Sequence, residues 1–146
     1  MKKRFLPGWL AVYIVCSITG YIEHDMILHK TYMRLQPSLH ATDVRSKIWA
    51  FAISEVVSTF LFTLIYSRWK KEGSISEGLQ YGVLTGIFVF LGRSLDTYAG
   101  TDLVPLSLCM QWLIYGIIQY VVAGVVLSYI CNYKNKSFVE YLFGKK

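Results

Sequence analysis

Charge is what this sequence has least of. Charged side chains make up 16% of its 146 residues, against about a quarter in an ordinary soluble domain. Acids are the scarcer sign, with nine Asp and Glu against fifteen Lys and Arg. No G-x-x-x-x-G-K-[ST] phosphate loop and no nucleophile–base arrangement can be read from it, which argues against an NTPase and against a hydrolase of soluble substrates. Its three cysteines, Cys16, Cys109 and Cys131, form no C-x-x-C pair and each lies within an apolar run. In that setting Cys behaves as a small hydrophobe, so neither a disulfide framework nor a zinc site is indicated.

What is there is apolar and aromatic. Hydrophobic residues account for 54% of the chain, the mean hydropathy is +0.41, and four Trp, eleven Tyr and eight Phe are present. A span needs ~20 mostly apolar residues to cross ~30 Å of hydrocarbon. Four segments meet that demand, residues 5–22, 48–67, 78–95 and 103–131. The expected architecture is therefore all-α, an integral membrane four-helix bundle forming a single domain over residues 1–146. The opening "MKKR" before an apolar run resembles a signal peptide, but no small-x-small cleavage site closes it. The first segment is read as a retained helix.

Orientation follows from the distribution of Lys and Arg, because cytoplasmic loops retain positive charge. Ten flank the termini and the connection between helices two and three, whereas five lie on the opposite side. Both termini are expected in the cytoplasm, in the cytoplasmic (inner) membrane of a bacterium. The net charge of +6 then belongs to a rim facing anionic lipid, and it implies no nucleic-acid partner.

This topology gathers the unusual polar residues at the outer end of the bundle. "GYIEHDMILHKTYM" places Glu23, His24, Asp25 and His29 at the end of helix one, while Arg93 and Asp96 end helix three. Glu55 sits about 10 Å below the start of helix two, and Gln111 lies at nearly the same level on helix four. A charge within a span costs at least ~2.5 kcal/mol and seeks a partner in the bundle interior. The expected arrangement is an ion pair between Glu55 and Arg93, completed by Gln111 or His24, in a polar cluster that includes Asp96. Such a pair fixes helix register; the other reading makes Glu55 a proton or substrate carboxylate.

The histidines are weak metal or haem candidates. His24 and His29 are five apart, ~140° around a helix, so one helix cannot present both to one ion. Asp25 and His29, four apart, can share a face and orient a ring. Haem held by His24 or His29 with His40 would need a second helix to complete the site. The expected cofactor is none.

Helix packing is most legible in the third segment. Gly78, Gly82 and Gly86 recur every four residues, and Gly116 and Gly124, with Tyr120 between them, leave a similar bare face on helix four. Such faces let backbones approach closely, here between helices three and four or in a homodimer. Ser76 is the expected cap of helix three, with Glu77 near its positive end. Pro105 is placed in the first turn of helix four. Residues 30–47 are expected to hold a short interfacial helix, capped by Ser38 or Thr42, and the basic, aromatic tail to lie on the inner surface or a partner.

The elements "EGLQYG" and "PLSLCMQWLIYG" resemble a family of small bacterial four-helix membrane proteins of unknown function. In that family helix three opens with E-G-x-x-Y-G, matched by Glu77, Gly78, Tyr81 and Gly82. Helix four opens with P-x-S-L-x-x-Q-W-x-x-Y-G, matched by Pro105, Ser107, Leu108, Gln111, Trp112, Tyr115 and Gly116. The resemblance extends over nearly the whole chain and implies a bundle in a membrane but no activity. The doubled histidines and flanking acids exceed the single His of the family pattern, so His29 and Arg93 draw no support from it. Three functions fit: an accessory or structural subunit of a larger membrane complex, respiratory or photosynthetic; a small proton-coupled transporter using Glu55; or a haem or metal protein using His24 and His29. The expected partners are the lipid bilayer and larger membrane subunits.

Overall fold

The computed structural model describes residues 2–35, 45–69 and 73–132. Every regular element among them is helical: α1 (Lys2–Tyr21), a π-helical turn (Ile22–Ile27), α2 (His29–Leu35), a 3-10 turn (Arg45–Lys47), α3 (Ile48–Trp69), α4 (Ile75–Gly100) and α5 (Leu106–Asn132). Four stretches are long and apolar enough to cross a bilayer: Arg4–Ile27, Ile48–Trp69, Ile75–Gly100 and Leu106–Cys131. Helix is the form such sequences must take, because hydrocarbon offers no partner to an open backbone N–H or C=O. The hydroxyls in these spans fall back on their own helices, Thr19 donating to the Val15 carbonyl at 2.7 Å and Thr85 to that of Tyr81 at 2.6 Å.

Several boundaries differ from those read off the sequence. The first span continues past residue 22 because the π turn carries it to Ile27, with Leu28 N–H donating to the Glu23 carbonyl at 2.8 Å. α4 begins three residues before Gly78, and its cap is Ser74 rather than Ser76. Ser74 Oγ accepts from Glu77 N–H at 3.2 Å, and the Glu77 carboxylate accepts in turn from Gly73 N–H. This reciprocal closure is a capping box displaced by one residue, and it needs a turn at Gly73, whose φ of 69° favours glycine. Pro105 lies just before α5, its carbonyl accepting from Leu108 N–H at 3.0 Å. The caps proposed at Ser38 and Thr42, His40 and the C-terminal tail lie outside the described residues.

α1 packs between α3 and α5, and α4 lies along α5. The closeness of α4 to α5 comes from missing side chains. A Cβ on Gly78 would sit 2.5 Å from the Gly124 carbonyl oxygen, one on Gly86 would meet the Ile117 backbone at 2.9 Å, and one on Gly82 would collide with the Tyr120 carbonyl. Gly124 likewise faces the Gly78 carbonyl, while Gly116 receives the Phe90 ring. Ser128, fully buried, adds a hydrogen bond to the Ser74 carbonyl at 2.7 Å.

Among the described residues α3 meets α4 toward the end that holds Arg4 and Trp69. There Phe62, Tyr66 and Trp69 surround the Tyr81 ring, with centroids 4.6, 5.1 and 5.4 Å away. The Tyr81 hydroxyl donates to the Phe62 carbonyl at 2.6 Å. Toward the Glu23 end α3 is exposed on every side from Ile48 to Ser54, and Glu55 is its first half-buried residue. One core, Val12, Cys16, Phe62, Tyr66, Tyr81, Ala123 and Leu127, fills the aromatic half. A second, Leu28, Val104, Leu108 and Cys109, fills the Glu23 end.

Candidate functional site

The π turn builds the site. An i→i+5 backbone bond widens the helix by one residue and rotates the residues after it, which is why such turns recur at functional positions. Here it turns Glu23 inward, leaving it 6% exposed, while His24 and Asp25 stay at the surface. Leu28 then plugs the second core and lets α2 fold back, with Tyr32 N–H donating to the Leu28 carbonyl at 2.9 Å.

Tyr32 is the hub of the polar end. Its hydroxyl accepts from Trp112 Nε1–H at 2.7 Å and shares a hydrogen bond with His24 Nδ1 at 2.6 Å, the two rings being nearly parallel. His24 Nε2 in turn lies 3.9 Å from Glu23 Oε1. Burial pushes the Tyr32 phenol up to about 12, outweighing the opposing pull of the Trp112 hydrogen bond. A chain of polar contacts thus runs from α5 through α2 and the π turn to a buried carboxyl group.

Beside this chain lies a cavity of about 230 Å³, lined by Thr19, Ile22, Glu23, Ile27, Tyr115, Ile118 and Gln119. Ile22, Ile27 and Ile118 are themselves exposed on the flank of the bundle, so the cavity opens sideways, at membrane depth. Its floor is tied by Gln119, whose Nε2 donates to the Cys16 carbonyl at 2.9 Å and to Thr19 Oγ1 at 3.0 Å.

Glu55 occupies a separate place. Its carboxylate accepts from Ser17 Oγ–H at 2.6 Å across the α1–α3 contact, a turn above the bond from Trp9 Nε1–H to Thr59 Oγ1 at 3.2 Å. No ion pair joins it to Arg93 among the described residues, contrary to the expectation from topology. The helix registers explain the separation. Ser17 lies level with Gln119 on α5, and the α4 residues facing that level lie between Gly82 and Gly86. Arg93 is about nine residues further along α4, or ~13 Å at 1.5 Å per residue. It is exposed near the π turn, where its charge acts on Glu23 and Tyr32.

The expected polar cluster is therefore not one site. His24 belongs with Tyr32 and Glu23, Asp96 is exposed on α4, and Gln111 bonds to neither Glu55 nor His24. Gln111 Oε1 is instead buried without a hydrogen-bond partner. Asp25 and His29 are both exposed and form no pair, because the π turn and the break at Leu28 undo the four-residue register between them. Among the described residues no group of three His, Cys, Asp or Glu side chains is close enough to hold a metal ion.

Sequence reasoning missed Gln119, Tyr32 and the burial of Glu23. Gln119 carried a signal, a lone amide within an apolar run, yet its partners on α1 depend on helix register. Tyr32 carried none. No family model, no curated protein and no solved structure matches this chain.

Proposed function

We propose that this multi-pass membrane protein is an accessory subunit that packs into a larger membrane complex through the free half of α3. The observation that carries this reading is a stripe of small residues, Ala50, Ser54 and Ser58, spaced by four and exposed on the bundle surface. Lipid tails set no premium on small side chains, whereas close helix packing does. On α4 the equivalent stripe is already filled by α5; on α3 nothing in the described chain covers it. Trp49, Phe51 and Ile53 extend the same free half with large apolar surface.

A carrier built on Glu55 has weaker support, because that carboxylate is held by Ser17 where α1 crosses α3. The resemblance to small bacterial four-helix proteins agrees with a bundle of this kind in a bacterial inner membrane, and the excess of Lys and Arg at the termini and between helices two and three supports termini on the cytoplasmic side.

The test is site-directed crosslinking in native membranes from Ser54→Cys, with Leu84→Cys on the exposed face of α4 as the control. The expected outcome is a discrete adduct with a larger membrane subunit from position 54 and none from position 84, in stoichiometric yield. Self-adducts alone would make the stripe a dimer contact, and equal, diffuse labelling at both positions would reject the reading.

A further inference from the structure

We infer that the side cavity beside the π turn binds a protonated amine carried on a short apolar chain, entering from the bilayer with its ammonium on Glu23. This site is distinct from the α3 surface and does not depend on how that surface is used.

Glu23 is 6% exposed and lines the cavity, yet the described residues give its carboxylate no hydrogen bond. The imidazole of His24 stands with Nε2 3.9 Å off, beyond hydrogen-bonding reach. Gln119, the amide on the cavity wall, spends its donors on the Cys16 carbonyl and Thr19. Gln111 Oε1, one turn before Tyr115 on α5, is also buried without a donor, although Gln111 does not itself line the cavity. Burying acceptors without donors is costly, more so in a low-dielectric span.

The missing chemistry is thus a positive group rich in N–H donors. An ammonium offers three donors and one charge. The remaining walls are Ile22, Ile27, Ile118 and the Tyr115 ring, which suit an alkyl or aryl body. At about 230 Å³ the cavity is smaller than the ~300–1,000 Å³ of pockets for drug-sized ligands, so the occupant is short. A metal ion is a poor fit, since one carboxylate, one amide and one hydroxyl within otherwise apolar walls supply too few hard ligands. An anionic head group would meet the carboxylate. Arg93 is the competitor, exposed and close enough for its charge to act on Glu23, but it forms no ion pair with it.

The experiment is calorimetric titration of the full chain in phosphatidylcholine nanodiscs at neutral pH, with empty nanodiscs subtracted. Octylamine, charged there because alkylammonium groups titrate near the ~10.4 of Lys, is compared with octanol and octanoate. Saturable binding is expected, with octylamine favoured over octanol by about tenfold or more, the range of a hydrogen bond to a charged group. Octanoate should not bind. Glu23→Gln should bring octylamine level with octanol, and Arg93→Gln should tighten octylamine a few-fold. Equal affinity for octylamine and octanol in the unaltered protein would overturn the proposal without recourse to any variant. So would a preference that survives Glu23→Gln.

Discussion

Tyr32 shows how one side chain can tie three elements together without being marked in the sequence. Its hydroxyl joins Trp112 on α5 to His24 in the π turn, and burial holds its phenol up to about 12 against an ordinary value of 10. The linkage sign follows from that direction. Below pH ~10 the phenol is protonated whether the chain is folded or not, and its contribution is fully present. Between ~10 and about 12 the unfolded chain loses the proton while the folded one keeps it, so stability falls as pH rises through that window. Unfolding in mixed micelles across this range should show a steeper alkaline loss in the unaltered protein than in Tyr32→Phe. Below pH 9 the variant should be the less stable by about 1 kcal/mol, the usual value of a lost hydrogen bond. Glu55 teaches the complementary point. An acid within a span favours a donor, and at Glu55 a serine hydroxyl at 2.6 Å supplies it in place of the expected guanidinium.

At the scale of elements, the α4–α5 pair is the part of the fold most open to a direct test. A side chain at Gly82 would strike the Tyr120 backbone, whereas one at Gly116 would strike a side chain, the Phe90 ring, which has to be displaced from its edge-on packing with Tyr120. Gly82→Leu should therefore destabilise the bundle by at least ~1–3 kcal/mol, the usual range of overpacking, and Gly116→Ala by less. A methyl added at Gly92 would have nothing within 4 Å, so Gly92→Ala should be neutral or stabilising by up to ~1 kcal/mol through helix propensity alone. Reversible unfolding of the three variants in detergent checks the order; an equal loss in all three would refute the contact. The repeat of four that marks this face was legible because glycine has no other reason to recur so regularly in a span. The π turn was not legible: Ile22–Ile27 has nothing that distinguishes it from α-helix until packing against α5 is considered.

For the whole molecule, the described helices form a bundle closed at one end by aromatic rings and parted at the other, where α3 leaves α4. The charge asymmetry predicts which end faces the cytoplasm. In intact cells a membrane-impermeant maleimide should label Asp102→Cys, in the exposed turn between α4 and α5, and should reach exposed Ser76→Cys only after permeabilisation. The native cysteines provide a low background, since Cys16 and Cys109 are buried and Cys131 is half-buried. The reverse pattern would invert the topology and place the Glu23 cavity nearer the cytoplasm.

Composition and periodicity by themselves determined that this chain is helical, that four segments can span a membrane and that Gly78, Gly82 and Gly86 form one face. Those properties are local: they depend on residue type and spacing within a single helix, which backbone geometry makes nearly invariant. Which polar group meets which was decided only in three dimensions. Glu55 found Ser17 rather than Arg93 and Gln111, Gln119 bonded across to α1, and Glu23 turned into the bundle. Each outcome depends on how far one helix slides and turns against its neighbour. A displacement of a few residues, or a single extra residue in a π turn, exchanges every partner while leaving the apolar pattern unchanged.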